Sequence, residues 1–255
     1  MTRRYLVLAA LAAALLLAGC STGPREIPAK DLAGDATYDW DTDATVSFNL
    51  TGDQYTAIFE IRNRSSIEVY GSGTFGGDQP IDVEAIRFRF RNGTVVNANH
   101  SALTVVKQSK QTNVSLPARN GKLAYAGPRS GKEFRTPVFV EGSWEVTLPV
   151  SARVGIPFLS SVSPGGHDGS VADNRLTLRW ENVTASSVHA RWFLQFDLLL
   201  FSTLAVAALG LGIGGAVYYL RQIRHLERQR KEIGLDVEEE EEDDLRDREP
   251  PPGMG

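Results

Sequence analysis

The chain has 255 residues, of which 42% are hydrophobic and 23% charged, with a net charge of −4. That length holds one or two modest domains, and the composition excludes a collagenous chain or one disordered throughout. One cysteine and four histidines rule out an internal disulfide and leave almost no soft metal-ligand chemistry.

The charge is unevenly spread. Residues 1–19 carry two arginines and no acid. Residues 20–191 balance 18 basic against 18 acidic residues, and residues 221–255 carry 7 basic and 12 acidic ones. The neutral middle region is too weakly basic for a nucleic-acid surface, so no nucleic acid is expected.

The N-terminus reads MTRRYLVLAALAAALLLAGC. Two arginines precede an apolar run from Tyr5 to Ala18, too short to span a bilayer comfortably but laid out as a secretory signal over residues 1–19. Leu17-Ala18-Gly19-Cys20 resembles a lipobox, with the thiol of Cys20 as the lipidation site. Thr2-Arg3-Arg4-Tyr5-Leu6-Val7 resembles the twin-arginine export pattern. Residues 20–43, rich in proline, glycine and acids and without apolar periodicity, read as a linker. Within them Asp39, Asp41 and Asp43 alternate, as at the start of a calcium loop. Ala44 and Leu50 stand where an EF-type loop needs glycine and glutamate, so a solvated acidic linker is the preferred reading and no metal site is expected.

From Ala44 the pattern turns to alternating β-branched and aromatic residues. It predicts strands over residues 45–50, 55–62, 67–70, 83–91, 103–107, 113–116, 134–140 and 144–150, followed by 175–180 and 187–191. Ile86, Phe88 and Phe90 alternate with Arg87, Arg89 and Arg91, the mark of a strand with one apolar and one charged face. Short strands separated by glycine-rich turns predict a mainly β, antiparallel sandwich over residues 44–191.

Six Asn-x-Ser/Thr sequons begin at Asn49, Asn63, Asn92, Asn99, Asn113 and Asn182, using six of the nine asparagines between residues 20 and 191. Chance would supply about two, so these are glycosylation candidates on an exported, solvent-facing surface. The adjacent His167 and Asp168 lie in a turn-forming loop. Neighbours in sequence seldom orient one another for catalysis, and no nucleophile elbow or phosphate loop accompanies them. No catalytic residue and no cofactor are expected, and the chain is read as a non-enzyme.

Leu198 to Leu220 is an uncharged run of 23 residues. As a helix it measures about 34 Å, against about 30 Å of hydrocarbon. Trp192, Phe193 and Phe196 flank one end and Tyr218 and Tyr219 the other, so residues 192–220 are predicted as a transmembrane helix with aromatic belts. Arg221, Arg224, Arg228, Arg230 and Lys231 follow. The positive-inside rule places residues 221–255 in the cytoplasm as a basic-then-acidic tail, with residues 21–191 outside. Gly210 and Gly214 have GxxxG spacing, which marks a helix-packing face and a homodimer contact. The acidic run Glu238–Asp244 reads as a disordered tail.

The arrangement resembles an uncharacterised family of haloarchaeal surface lipoproteins with a C-terminal transmembrane helix. The likeness rests on TRRYLVL, LAGC, VTLPVSARVGIPFLSSVSPGG, LTLRWENVTA and ARWFLQFDLLLF, with the terminal apolar helix and acidic tail. It implies a cell-envelope location and carries over no functional residue. The expected role is an envelope lipoprotein held in the membrane by a lipid anchor and a single span, whose β-domain binds or scaffolds an envelope protein partner. The alternative is an accessory or sensory subunit that couples the exterior to the cytoplasmic tail.

Overall fold

A computed structural model describes residues 23–73 and 77–246, the last seventeen of these by backbone alone. Residues 1–19, read above as a secretory signal, and Cys20 lie outside the described residues. The chain divides after Gln195 into two units.

The first unit is built from strands β1 (Arg25–Glu26), β2 (Val46–Leu50), β3 (Gln54–Ile61), β4 (Ser66–Ser72), β5 (Asp78–Pro80) and β6 (Glu84–Phe90). These are followed by β7 (Val95–Asn97), β8 (Thr104–Lys107), β9 (Thr112–Ser115), β10 (Gly121–Pro128), β11 (Glu133–Pro137) and β12 (Gly142–Val150). The last six are β13 (Ala152–Arg153), β14 (Ser161–Ser163), β15 (Asp168–Ala172), β16 (Arg175–Val183), β17 (Ser187–Arg191) and β18 (Phe193–Leu194). An eight-stranded sheet runs β15-β16-β12-β2-β3-β10-β6-β7 and a five-stranded one β1-β8-β9-β4-β5. Smaller sheets, β11-β17-β14 and β13-β18, complete the unit.

Both larger sheets face one core, in which Val46, Phe48, Phe59, Leu123 and Trp144 of the first meet Ile67, Val69, Val105 and Val114 of the second. The period-2 pattern places them there: Trp144, Val146 and Leu148 of β12 are buried while their neighbours are not. Phe48 is the hub, with the rings of Phe134, Phe59 and Trp144 centred 5.0, 5.6 and 5.6 Å away. Each such fully buried side chain contributes about 1.5–3 kcal/mol of transfer free energy.

The fold is mainly β and mostly antiparallel, as the alternation predicts. One pairing departs from this: β2 and β12 run parallel, with Trp144 opposite Val46. The sequence pattern also overlooks β10. Lying between β3 and β6, it is buried on both faces from Leu123 to Gly127, so it shows no alternation to detect.

The linker reading of residues 20–43 is corrected over its described part, residues 23–43. β1 pairs with β8, Leu32 is in the core, and buried Tyr38 donates its hydroxyl proton to the Ala85 carbonyl at 2.6 Å. One strand pairing and two apolar anchors spread along an otherwise polar stretch make no period, yet they fix the segment to the domain.

The start of the predicted transmembrane segment is also corrected. Trp192 is only 2% exposed and belongs to the β-core, while Phe193 and Leu194 pair with Arg153 and Ala152. The helix, α1 (Gln195–Arg246), begins after them. Residues 198–229 of α1 are all exposed, and its first 35 residues, Gln195–Gln229, are long and apolar enough to cross a membrane. Its backbone stays helical through Glu238–Asp244, where the sequence reads as disordered. Glutamate is a good helix former, so the run continues a helix it would not nucleate alone.

Strand register gives the β-unit two ends. Leu50, Tyr55, Pro128, Val150 and Arg175 lie at one, and Ile61, Phe90, Gly121 and Val183 at the other. The chain leaves from the first, where the Gln195 N–H donates to the Ser151 carbonyl at 3.1 Å. We call this the exit end. Arg25 pairs opposite Lys107, and Lys107 opposite Thr112, at the same end of the five-stranded sheet, so the described chain also enters there.

Candidate functional site

At the exit end a cleft of about 530 Å³ opens between the β4–β5 hairpin and β11. Tyr55 and Phe134 form its floor, their ring centroids 5.5 Å apart. Tyr70, Gln79 and Asp82 stand on one wall and Arg129, Glu133 and Arg135 on the other. Alternation supplies the floor: Phe134 is the buried residue between exposed Glu133 and Arg135 on β11. Tyr70 is fixed by an edge contact with Phe139, centroids 5.3 Å apart.

Three of the charged side chains around the cleft, Arg129, Glu133 and Asp82, are engaged with protein groups. Arg129 donates from Nε to the Thr51 carbonyl at 2.8 Å, and from Nη2 to those of Gly52 and Gly131, both at 3.1 Å. Burial lowers the pKa of Arg129, with Asp53 opposing the shift. Glu133 lies 2.9 Å from His189 Nε2, and Asp82 pairs with Lys107. Burial pushes the Tyr55 phenol well above the ordinary tyrosine range, outweighing the hydrogen bond with Tyr125. The phenol stays neutral through physiological pH. Half-buried Tyr70 and exposed Arg135, above a buried aromatic floor, suit binding by stacking and hydrogen bonding.

These residues come from positions 55, 70–82 and 129–135, too far apart in sequence for spacing to announce them. Sequence reasoning singled out none of them as a site.

The sequons lie on the surface of the β-unit. Asn49, Asn63, Asn92, Asn99 and Asn182 are exposed, and Asn113, on β9, is half-buried. Asn63, Asn92 and Asn182 sit at the end opposite the exit, beside Ile61, Phe90 and Val183. Asn92 Oδ1 accepts the Thr94 N–H in a tight turn. Asn49 lies nearer the exit, its Oδ1 accepting from Arg175 at 2.6 Å, which leaves the amide nitrogen for a glycan.

The aspartate segment 39–43 is held by a cation of the chain itself. Lys122 Nζ donates to the Trp40 and Thr42 carbonyls at 2.7 and 2.9 Å, and Asp41 pairs with Arg89 at 3.3 Å. Among the described residues no group of three acids, histidines or cysteines is placed to hold a metal. His167 packs beside Trp180, centroids 5.6 Å apart, with Nδ1 buried and unbonded, while Asp168 is exposed on β15. Gly210 and Gly214 lie on α1 with open space where a Cβ would stand.

Residues 42–238 match a family of unknown function, DUF5803. The match begins just before β2 and ends within α1, so it takes in both units. No curated protein matches the chain.

Proposed function

The chain belongs to the DUF5803 family of unknown function, and we propose that it is a single-span membrane protein of the cell envelope whose β-domain is a non-catalytic binding or scaffolding module outside the cytoplasm. One observation carries this reading: a fully exposed apolar helix follows directly on a folded β-domain. A surface of that length and polarity is unfavourable in water and matched to hydrocarbon. The basic residues that follow it, from Arg221 to Lys231, support a cytoplasmic C-terminus.

The binding role is supported by the exit-end cleft, where Arg129, Asp82 and Glu133 are bonded within the chain while half-buried Tyr70 and exposed Arg135 line the opening. A lipid on Cys20 would tether the entering chain five residues before β1, and the entering and leaving segments share one end of the domain. Both anchors then hold the cleft close to the bilayer.

Affinity purification from cross-linked native membranes tests the proposal, comparing the full chain with a Tyr70→Ala, Arg135→Glu variant. A stoichiometric envelope protein lost in the variant is the expected result. Recovery of the chain alone overturns the scaffolding role.

A further inference from the structure

Beyond the cleft, the exit end carries an apolar tip. Among the described residues of the β-unit six large hydrophobic side chains are exposed, and five of them, Val150, Ile156, Phe158, Leu159 and Val171, belong to strands and a loop at the exit end. The sixth, Val95, is at the opposite end, with three of the sequons. Phe158 is 95% exposed. Three of the five lie within the single stretch Ile156–Leu159, so they form one local apolar patch rather than scattered side chains.

The loop that bears Phe158 is held in shape. The Gly155 N–H donates to Ser160 Oγ at 2.9 Å, and Ser160 Oγ donates in turn to the Ile156 carbonyl at 3.0 Å. Arg191 Nη2 donates to the Phe158 carbonyl at 3.2 Å. Phe158 itself has φ +71°, a conformation that bulky residues rarely adopt. The backbone thus bears strain while the ring is turned out to solvent.

The loop's place in the fold says what meets that ring. It joins β13 to β14, and these pair with β18 and β17, the last strands before α1: Arg153 lies opposite Phe193 and Ser161 opposite Arg191. The tip therefore flanks residues 191–193, two residues before the apolar helix begins. Resting on the single-span reading above, we propose that the Ile156–Leu159 loop inserts into the interfacial layer of the bilayer that α1 enters, with Phe158 as the leading side chain. The loop and α1 would then fix the domain at two points, so the exit end, with its cleft, faces the lipid surface.

The full chain in phosphatidylglycerol and phosphatidylcholine vesicles, in a Cys20→Ser background, tests this. Phe158→Cys and, as a control at the opposite end, Asn92→Cys are each labelled with an environment-sensitive fluorophore. The label at 158 is expected to be blue-shifted, quenched by lipid-borne bromine, and several-fold less quenched by aqueous iodide than the label at 92. Equal iodide quenching at both positions in a chain that resists alkaline extraction overturns the insertion and leaves the span standing. A label at 158 shielded from both iodide and bromolipid also overturns it, because a protein surface then covers the loop. Release of the chain on alkaline extraction overturns the span, and the insertion with it.

Discussion

The guanidinium of Arg129 lies over the indole of Trp192, its central carbon 4.9 Å from the ring centroid. The same group clamps the β2–β3 turn through the Thr51 and Gly52 carbonyls and its own loop through that of Gly131. Trp192 in turn donates its backbone N–H to the Lys132 carbonyl. One side chain thus ties the turn after β2, the loop after β10 and the last buried residue before α1. Arg129→Ala is expected to destabilise the β-domain by about 1–3 kcal/mol, from the lost stacking and the carbonyls left to water. Arg129→Lys keeps the charge without the planar fork and falls between the two. Denaturant titration of the purified chain checks the order.

Gly127 is packed against Tyr55: a Cβ there would stand 2.6 Å from the ring and its hydroxyl oxygen. Tyr55 is buried and forms the floor of the cleft, so it has little room to yield. Gly127→Ala is expected to cost about 1–3 kcal/mol through overpacking. A variant as stable as the parent in thermal melting would mean that Tyr55 moves freely.

Burial raises the pKa of Tyr38, with Arg87 opposing, and raises those of Tyr55 and Tyr125. In the unfolded chain these phenols ionise near pH 10, while the folded domain holds them neutral. Their contribution is complete below pH 10 and is lost as the pH climbs from there toward the folded values, with a slope of about 1.4 kcal/mol per pH unit for each group. Tyr38→Phe removes one of these groups and its hydrogen bond to Ala85. It should lower stability by about 1 kcal/mol at pH 7 and flatten the alkaline decline. Melting curves between pH 8 and 11 read both effects.

Glycan mapping of the protein from its native membranes should find Asn63, Asn92 and Asn182 modified, since these are exposed at the end away from the exit. Asn113 is half-buried at the middle of β9, paired between Val106 and Glu68, and should be bare. A glycan on Asn113 with the other three unmodified would contradict this.

If Gly210 and Gly214 form a helix-packing face, Gly210→Leu and Gly214→Leu should each lower the cross-linked dimer in membranes several-fold, while Gly212→Leu, on another face, should not. Equal dimer in all three variants would remove the homodimer contact.

Local pattern was enough to determine the class of this protein. The β-branched alternation of β2, β6 and β12 sets the faces they bury, and 23 uncharged residues determine an apolar helix, because both signals depend on neighbours along the chain. Tertiary structure decided everything that depends on burial from two sides or on distant partners. β10 has no alternation because Leu123 and Tyr125 face the main core while Ala124 and Ala126, on its other face, lie under Tyr38. Leu32 and Tyr38 are lone anchors whose pockets are made by residues elsewhere, so their segment reads as a linker. Trp192 looks like an interfacial aromatic in sequence and is a core residue in space, since Arg129 and the β-sheets reach it first. The gathering of cleft, apolar loop, entry and exit at one end follows from strand register, which sums contacts between segments that no spacing in the sequence relates.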